Sequence, residues 1–462
     1  MGSPTYEKLS ANPSFRKAYP AMLHRRQLLG SLGTAALLTA GLRNTALSAD
    51  DANDPVAELS TRLNPSIQAA REAGLKILKP SPADLDRGLR LHAESIVFDS
   101  YGFSPRAAVD GDAIAAAIEA GASHDQVKDM REEMSMTRYV SDPVEQQEYR
   151  DAWRASGVTC VFQNAGEEGQ DPLRLMRRLS RFTYATDLMR GFVSKAAVPA
   201  DVETAKREGR HCLYLTGNGV PLRQQWESIP DELRYMQVFY HLGIRMMHLT
   251  YQRRNMIGDG CGEKSDAGLS DFGHAAIAEM NRLGIIPDCA HSGWKTSLEA
   301  AQSCSRPMVA SHSTCGAIHP HIRSKPDEVI RAIVDTGGYI GICCIPRYLR
   351  GSGDITAMLD HIDYAVKKFG PDAVAIGTDV AYNSQNAGRE LAKLPRMSKQ
   401  YQPFRSLWPA DDYKTLPGAA QSIAWTNWPL FTVGLVQRGH SDEVIRKIIG
   451  GNVMRVSNAS MT

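Results

Sequence analysis

The sequence is short of several things, and each shortage excludes a class of protein. Neither sign of charge dominates: Lys and Arg number 53 and Asp and Glu 51, a net of +2. That balance argues against a general nucleic-acid binder. No CxxC pair occurs among the eight cysteines, so a Cys-rich zinc knuckle is excluded. Eight cysteines in 462 residues are also too sparse for a disulfide scaffold. No GxGxxG turn follows an early strand, which counts against a doubly wound nucleotide-binding sheet. No internal repeat is present. The one long apolar run, Gly30 to Leu42, is shorter than the ~20 residues a membrane span needs. What remains is ordinary globular composition, 43% hydrophobic and 23% charged. This rules out a wholly disordered chain, a collagen and a coiled coil.

The start of the chain has the pattern of an address. Arg25 and Arg26 precede Gln27-Leu28-Leu29 and the apolar run, the order of a twin-arginine export signal. Ala46-Leu47-Ser48-Ala49 supplies small residues for cleavage, and Met22 is an alternative start. The expected organisation is a leader over 1–49, a helical lead-in over 50–90 and one large domain over 91–462. Twin-arginine export implies a folded cargo working in the periplasm. Several cysteines lie inside apolar strand-like runs, where a free thiol packs as a small hydrophobe.

Eight β-rich runs alternate with amphipathic stretches: Ser95–Asp99, Val158–Gln163, Cys212–Thr216, Ile244–Thr250, Ile285–Ala290, Pro307–Ser311, Gly338–Ile345 and Ala373–Asp379. Leu269 to Leu283 spaces Phe272, Ile277, Met280 and Leu283 as on one face of a helix. Apolar strands alternating with helices imply a parallel sheet covered on both faces, and eight units fit a single-domain (β/α)₈ TIM-type barrel. The polar, Pro-containing stretch Gly388–Pro417 is expected to be a long loop near the barrel mouth. Such barrels carry their chemistry at the C-terminal ends of the strands. His291, His312 and Asp379 fall at the ends of strands five, six and eight. Two imidazoles and a carboxylate suit a borderline divalent ion such as zinc.

Denser motifs sharpen this. Gly268-Leu269-Ser270-Asp271-Phe272-Gly273, Asp288-Cys289-Ala290-His291, Ala310-Ser311-His312-Ser313, Gly377-Thr378-Asp379 and the closing Gly450-Gly451-Asn452 follow one another in order. In these blocks the chain, from about Leu91 to Val456, resembles the renal or membrane dipeptidase family of metal-dependent amidohydrolases. The resemblance implies an α/β barrel and, in active members, a two-zinc site that cleaves dipeptides. It makes His291 and His312 ligands of the second metal. It makes Asp379 a first-metal ligand that handles the reaction's protons, and Arg323 the grip on the substrate carboxylate. It also exposes departures. The family's first strand ends in His-x-Asp, where this chain has Tyr101 and Phe103. The bridging Glu is Thr216, and a His after strand four is Tyr251. Two +2 ions a few ångströms apart need anionic ligands to offset their repulsion, and two such charges are gone. The expectation is one divalent metal, zinc by preference, or none.

Two functional readings follow. One is a periplasmic hydrolase of a dipeptide or short modified peptide, using at most one metal on His291, His312 and Asp379, with Arg323, Tyr251 and Tyr101 against the substrate. The other is a non-hydrolytic binding or maturation factor for a peptidic siderophore (pyoverdine) precursor. The expected partner is a small peptide ligand and not nucleic acid, with no stable membrane span; the resemblance permits a homodimer. Arg253 and Arg254 are candidates either for substrate contact or for surface pairing. His319 and His321 lie near the mouth, and Asp288 is either an outer partner of the ligands or a strand-end cap.

Overall fold

The computed structural model describes residues 63–166, 171–397 and 411–461. The arginine pair, the apolar run and the cleavage stretch of the expected export signal lie outside them.

The eight barrel strands are β1 Phe98–Gly102, β2 Cys160–Asn164, β3 His211–Gly217, β4 Ile244–His248, β5 Ile286–Asp288, β6 Ala310–Cys315, β7 Ile340–Ile342 and β8 Val374–Ile376. All pair in parallel, as one sheet β1-β2-β3-β4-β5 and one β6-β7-β8. Two seams join the sheets. The Val309 amide donates to Pro287 O at 3.0 Å and the Cys289 amide to Val309 O at 2.9 Å, linking β5 to β6. The Asp379 amide donates to Tyr101 O at 3.0 Å, linking β8 back to β1. The result is an α/β barrel of the TIM type. Each predicted run contains or overlaps an observed strand, and most ends shift by a few residues. Two short extra strands, Val193–Lys195 and Ser324–Lys325, flank β3 and β6.

Helix starts follow from local chemistry. Asn64-Pro65, Ser81-Pro82, Asp142-Pro143 and Asp171-Pro172 each place an oxygen acceptor at the cap and a proline at the first turn, where the missing N–H costs nothing. The helix read from the spacing of Phe272, Ile277 and Met280 runs Asp271–Leu283, capped by Ser270 and closed by Gly284 at φ 81°. Those three side chains are buried. Gly388–Pro417, expected to be a loop throughout, starts inside a short helix, Ala387–Leu391. Residues 398–410 of it lie outside the described chain.

Strand periodicity of two divides the core. Cys160 and Phe162, Cys212 and Tyr214, Met246, Ile286 and Ala375 share one cluster with Phe98 inside the barrel. Val161, Leu213, Leu215, Met247 and Ile376 join the larger cluster between strands and helices. Inside, Phe98, Phe162 and Tyr214 stack with ring centroids 5.1–6.0 Å apart. Val453, Met454 and Val456 of the final helix close the cluster from below. The strands approach so closely that a Cβ on Gly341 or Gly377 would run into the Ser311 carbonyl.

The β8–β1 seam turns on Asp99, a fully buried carboxyl. It accepts from the Thr378 amide at 2.9 Å, Thr378 Oγ1 at 2.6 Å and Trp425 Nε1 at 3.1 Å. Burial outweighs those hydrogen bonds and pushes the Asp99 pKa from 3.8 up to about 7. The folded state therefore holds a proton that the unfolded chain has released. Stability contributed by this group is full below pH 3.8 and declines as pH rises towards about 7. Urea midpoints measured across that range should fall with pH, and Asp99→Asn should flatten the slope. An unchanged slope in the variant would remove Asp99 as its source.

A candidate metal centre at the barrel mouth

One layer above the aromatic stack, the strands carry polar side chains. Two residues on from Phe162, Tyr214, Met246 and Ile286 come Asn164, Thr216, His248 and Asp288, all buried. His312, on β6, joins them and is fully buried. His248 was not among the sequence-predicted site residues. It is 1% exposed, and its Nε2 lies 2.6 Å from Asp288 Oδ2. That contact is close but poorly aligned for a hydrogen bond, and neither His248 ring nitrogen has a well-aligned partner. Ligand atoms of His248, Asp288 and His312 all lie within 4.8 Å of one another.

Asp288 is held firmly. The Ala290 and Ser311 amides donate to its Oδ1 at 2.9 and 3.0 Å, and Ser311 Oγ donates to its Oδ2. Burial alone would raise its pKa, but the charge and proximity of His248, with the Ser311 bonds, keep it below the ordinary carboxylate value. The same Ser311 hydroxyl lies 2.8 Å from His312 Nδ1. That leaves His312 Nε2, which sits 2.9 Å from Nε2 of His291. His291 Nδ1 is buried without a partner. Burial, then the nearby Arg323 cation, hold both imidazoles well below their usual pKa, so both are neutral at pH 7. Neutral imidazole is the form that ligates a metal.

The structure brings the other expected residues to the same mouth. The Tyr101 ring stacks on His312 with centroids 3.9 Å apart, and its hydroxyl donates to Asn218 Oδ1 at 2.5 Å. Tyr251 stacks on His291 at 4.3 Å. Phe103 lies under the Arg106 guanidinium, 4.6 Å from its centre. Arg323 is buried. It donates through Nη1 to Ala290 O and through Nη2 to His312 O at 3.2 Å, leaving Nε without a partner. Asp379 follows β8 with a left-handed backbone, φ 57°. It is half-buried and does not join the compact His248–Asp288–His312 group. Burial pushes its pKa from 3.8 to about 6, against the pull of Arg323, His248, Arg347 and Arg106.

Other candidates take local roles. Arg254 pairs with Asp259, and Arg253 Nη1 donates to Gly262 O at 2.7 Å, so both brace the loop after β4. His321 Nδ1 accepts from the Arg323 amide at 3.1 Å and so fixes the start of that turn. His319 lies against His361, ring centroids 6.4 Å apart. Among the described residues all eight cysteines are free.

A parallel α/β barrel with imidazoles and carboxylates gathered at the C-terminal ends of its strands is the architecture of a TIM-barrel amidohydrolase. The model of the membrane dipeptidase family, peptidase family M19, matches residues 85–397. The chain belongs to that family. Its similarities agree: it is 24% identical over 324 residues to the dipeptidase tcpJ of Claviceps purpurea (strain 20.1). That match takes in 69% of this chain and 64% of the relative's own length. Two solved structures from Pseudomonas aeruginosa share the fold. One is an amidohydrolase at 24% identity, with 81% of this chain and 98% of that chain covered and a TM-score of 0.58. The other is the probable dipeptidase PvdM, at 18% identity, with 82% and 99% covered and the same TM-score of 0.58.

Asp288 and Asp379 should respond unequally to truncation. Removing a buried acceptor leaves each stranded donor with a desolvation cost of about 1–3 kcal/mol, and Asp288 serves three donors. Asp288→Ala should therefore cost about 3 kcal/mol or more in urea unfolding under chelator. Asp379→Ala, which removes a half-buried carboxylate from a strained backbone position, should change stability by less than about 1 kcal/mol. Equal losses would show that Asp379 is structural.

Proposed function

We propose that this protein works in the periplasm on a dipeptide or short modified peptide, with a site that takes one divalent metal where its family uses two. The observation that carries this is the filling of the first-metal positions while the second-metal imidazoles stay in contact. Tyr101 commits its oxygen to Asn218, Phe103 has no donor atom, and Thr216 offers only a neutral hydroxyl. His291 and His312 meanwhile converge through their Nε2 atoms. The residues thus fit one dication and not two.

His291 and His312 would hold the metal, which when bound polarises a carbonyl and lowers the pKa of its water. The protein's own groups do the rest. Arg323, buried beside the imidazoles, carries an uncommitted Nε–H and is the group assigned to a peptide's terminal carboxylate. Asp379 stands at the same mouth as general base. It takes a proton from the attacking water as the new C–O bond forms. It returns that proton to the departing amine as the C–N bond breaks. Tyr251 and Tyr101 flank the ligand with ring faces.

A second reading, a non-hydrolytic binding or maturation factor for a peptidic siderophore precursor such as that of pyoverdine, is favoured by a separate observation. The rings of Tyr101 and Tyr251 lie flat on His312 and His291. Tyr251, the partly exposed one of the pair, offers an aromatic edge at the mouth for a bulky modified peptide, with Tyr101 buried behind it.

A panel of dipeptides with metal supplied separates the two. The first reading expects amino-acid release. It also expects Arg323→Met to raise KM at least about tenfold for free-carboxylate peptides, the loss of one charge-assisted contact, and to leave C-terminal amides nearly unaffected. Absence of turnover across the panel would remove hydrolysis. Immature siderophore accumulating in a deletion strain would then support the second reading, and normal siderophore would reject it.

A further inference from the structure

We propose that the metal is seated one layer deeper than the family resemblance places it, by His248, Asp288 and His312, with His291 completing the seat from the mouth side. This rests on the one-metal reading, and it assigns a ligand, His248, that the sequence motifs do not supply, and makes Asp288 a ligand in place of an outer partner. The class of ion is a borderline divalent transition metal such as zinc.

Four observations converge. The three donor groups lie within 4.8 Å of one another, and all three are buried. Both His248 ring nitrogens lack a well-aligned hydrogen-bond partner, as does Nδ1 of His291. Buried polar atoms without well-aligned partners cost free energy, so their clustering calls for a bound group. The outer hydrogen bonds of a ligand set are already in place. Ser311 occupies His312 Nδ1 and leaves Nε2, while two amides and the Ser311 hydroxyl orient Asp288. Ligating imidazoles and carboxylates are characteristically held this way from behind.

A plain His248–Asp288 ion pair explains less. It would need an imidazolium whose N–H groups find no aligned acceptor, although Nε2 is 2.6 Å from Asp288 Oδ2. A metal uses the same lone pairs with the imidazole neutral. The charge count limits it to one ion. Asp288 within the seat and Asp379 near it also face the buried Arg323 and Lys325 cations, so no anion is left for a second dication, and no third carboxylate is grouped with Asp288 among the described residues.

The test is metal content and cobalt spectroscopy of the full protein, purified after export and dialysed. Zinc should be retained at one ion per chain, and Co²⁺ should saturate at one equivalent with a visible band of nitrogen-ligated, low-coordinate cobalt. His248→Gln and His312→Gln should each weaken zinc binding by more than about 100-fold, beyond the cost of losing an outer-shell partner. Asp379→Asn should keep the ion. Far-UV circular dichroism in chelator checks that the variants fold; the cobalt titration of the unaltered protein stands whatever they do. Zinc held equally tightly by His248→Gln overturns the inference. So does loss of zinc in Asp379→Asn with retention in His248→Gln, which would leave the one-metal reading intact with the shallower seat. An unaltered chain that binds no metal also overturns it, and peptide turnover in chelator then decides the fate of the broader reading separately. One tightly held zinc with no peptide turnover would instead uphold the seat and defeat the hydrolytic reading.

Discussion

A largely buried barrel mouth holds only as much positive charge as its carboxylates balance. In bulk water two charges 4 Å apart interact by about 1 kcal/mol, and in a partly dehydrated site by several times that. Here Arg323 and Lys325 are buried beside the imidazoles, and the acids facing them are Asp288 and Asp379. The other features of the site answer to this balance. Neutral imidazoles, hydroxyls and aromatic rings fill the places where an anion-rich cradle would stand. Ser311, donating to Asp288 and contacting His312, ties the remaining acid to the remaining ligand.

The scaffold beneath keeps those groups in register. The Phe98, Phe162 and Tyr214 stack and the plug of Val453, Met454 and Val456 fill the lower barrel with apolar and aromatic side chains. Polar side chains therefore concentrate at one level, two residues further along each strand. Asp99 performs a comparable service at the seam, holding the Thr378 backbone so that Asp379 adopts its left-handed conformation beside Tyr101. Strain at a mouth residue, supported by a rigid seam below, is the distribution expected where position matters more than local stability.

Much of this is legible in the residues. The apolar runs locate the eight strands, and the order of the motifs points to the family. His291 and His312 stand out by their positions after strands five and six, and they lie in contact. His248 escapes a rule that looks only to the residues following each strand, because the apolar run Ile244–Thr250 carries that rule on to Tyr251. Alternation holds the missing signal: Met246 faces the barrel interior, so His248 must as well. Asp288, which local sequence allows as an outer partner or a cap, pairs with that histidine. Prolines and polarity after residue 387 suggest a loop and do not reveal the short helix at Ala387–Leu391.

The sequence by itself determined where the strands lie and which family the chain joins, because hydrophobic period and motif spacing are local properties of a chain. Only the tertiary structure decided which side chains meet: His248 with Asp288 and His312, Tyr101 over His312, Tyr251 over His291, Arg323 on the carbonyls of Ala290 and His312. These partners are brought together by strand register and barrel closure. The neighbour across a sheet is chosen by the pairing of two strands far apart in the chain, and no window of residues contains both.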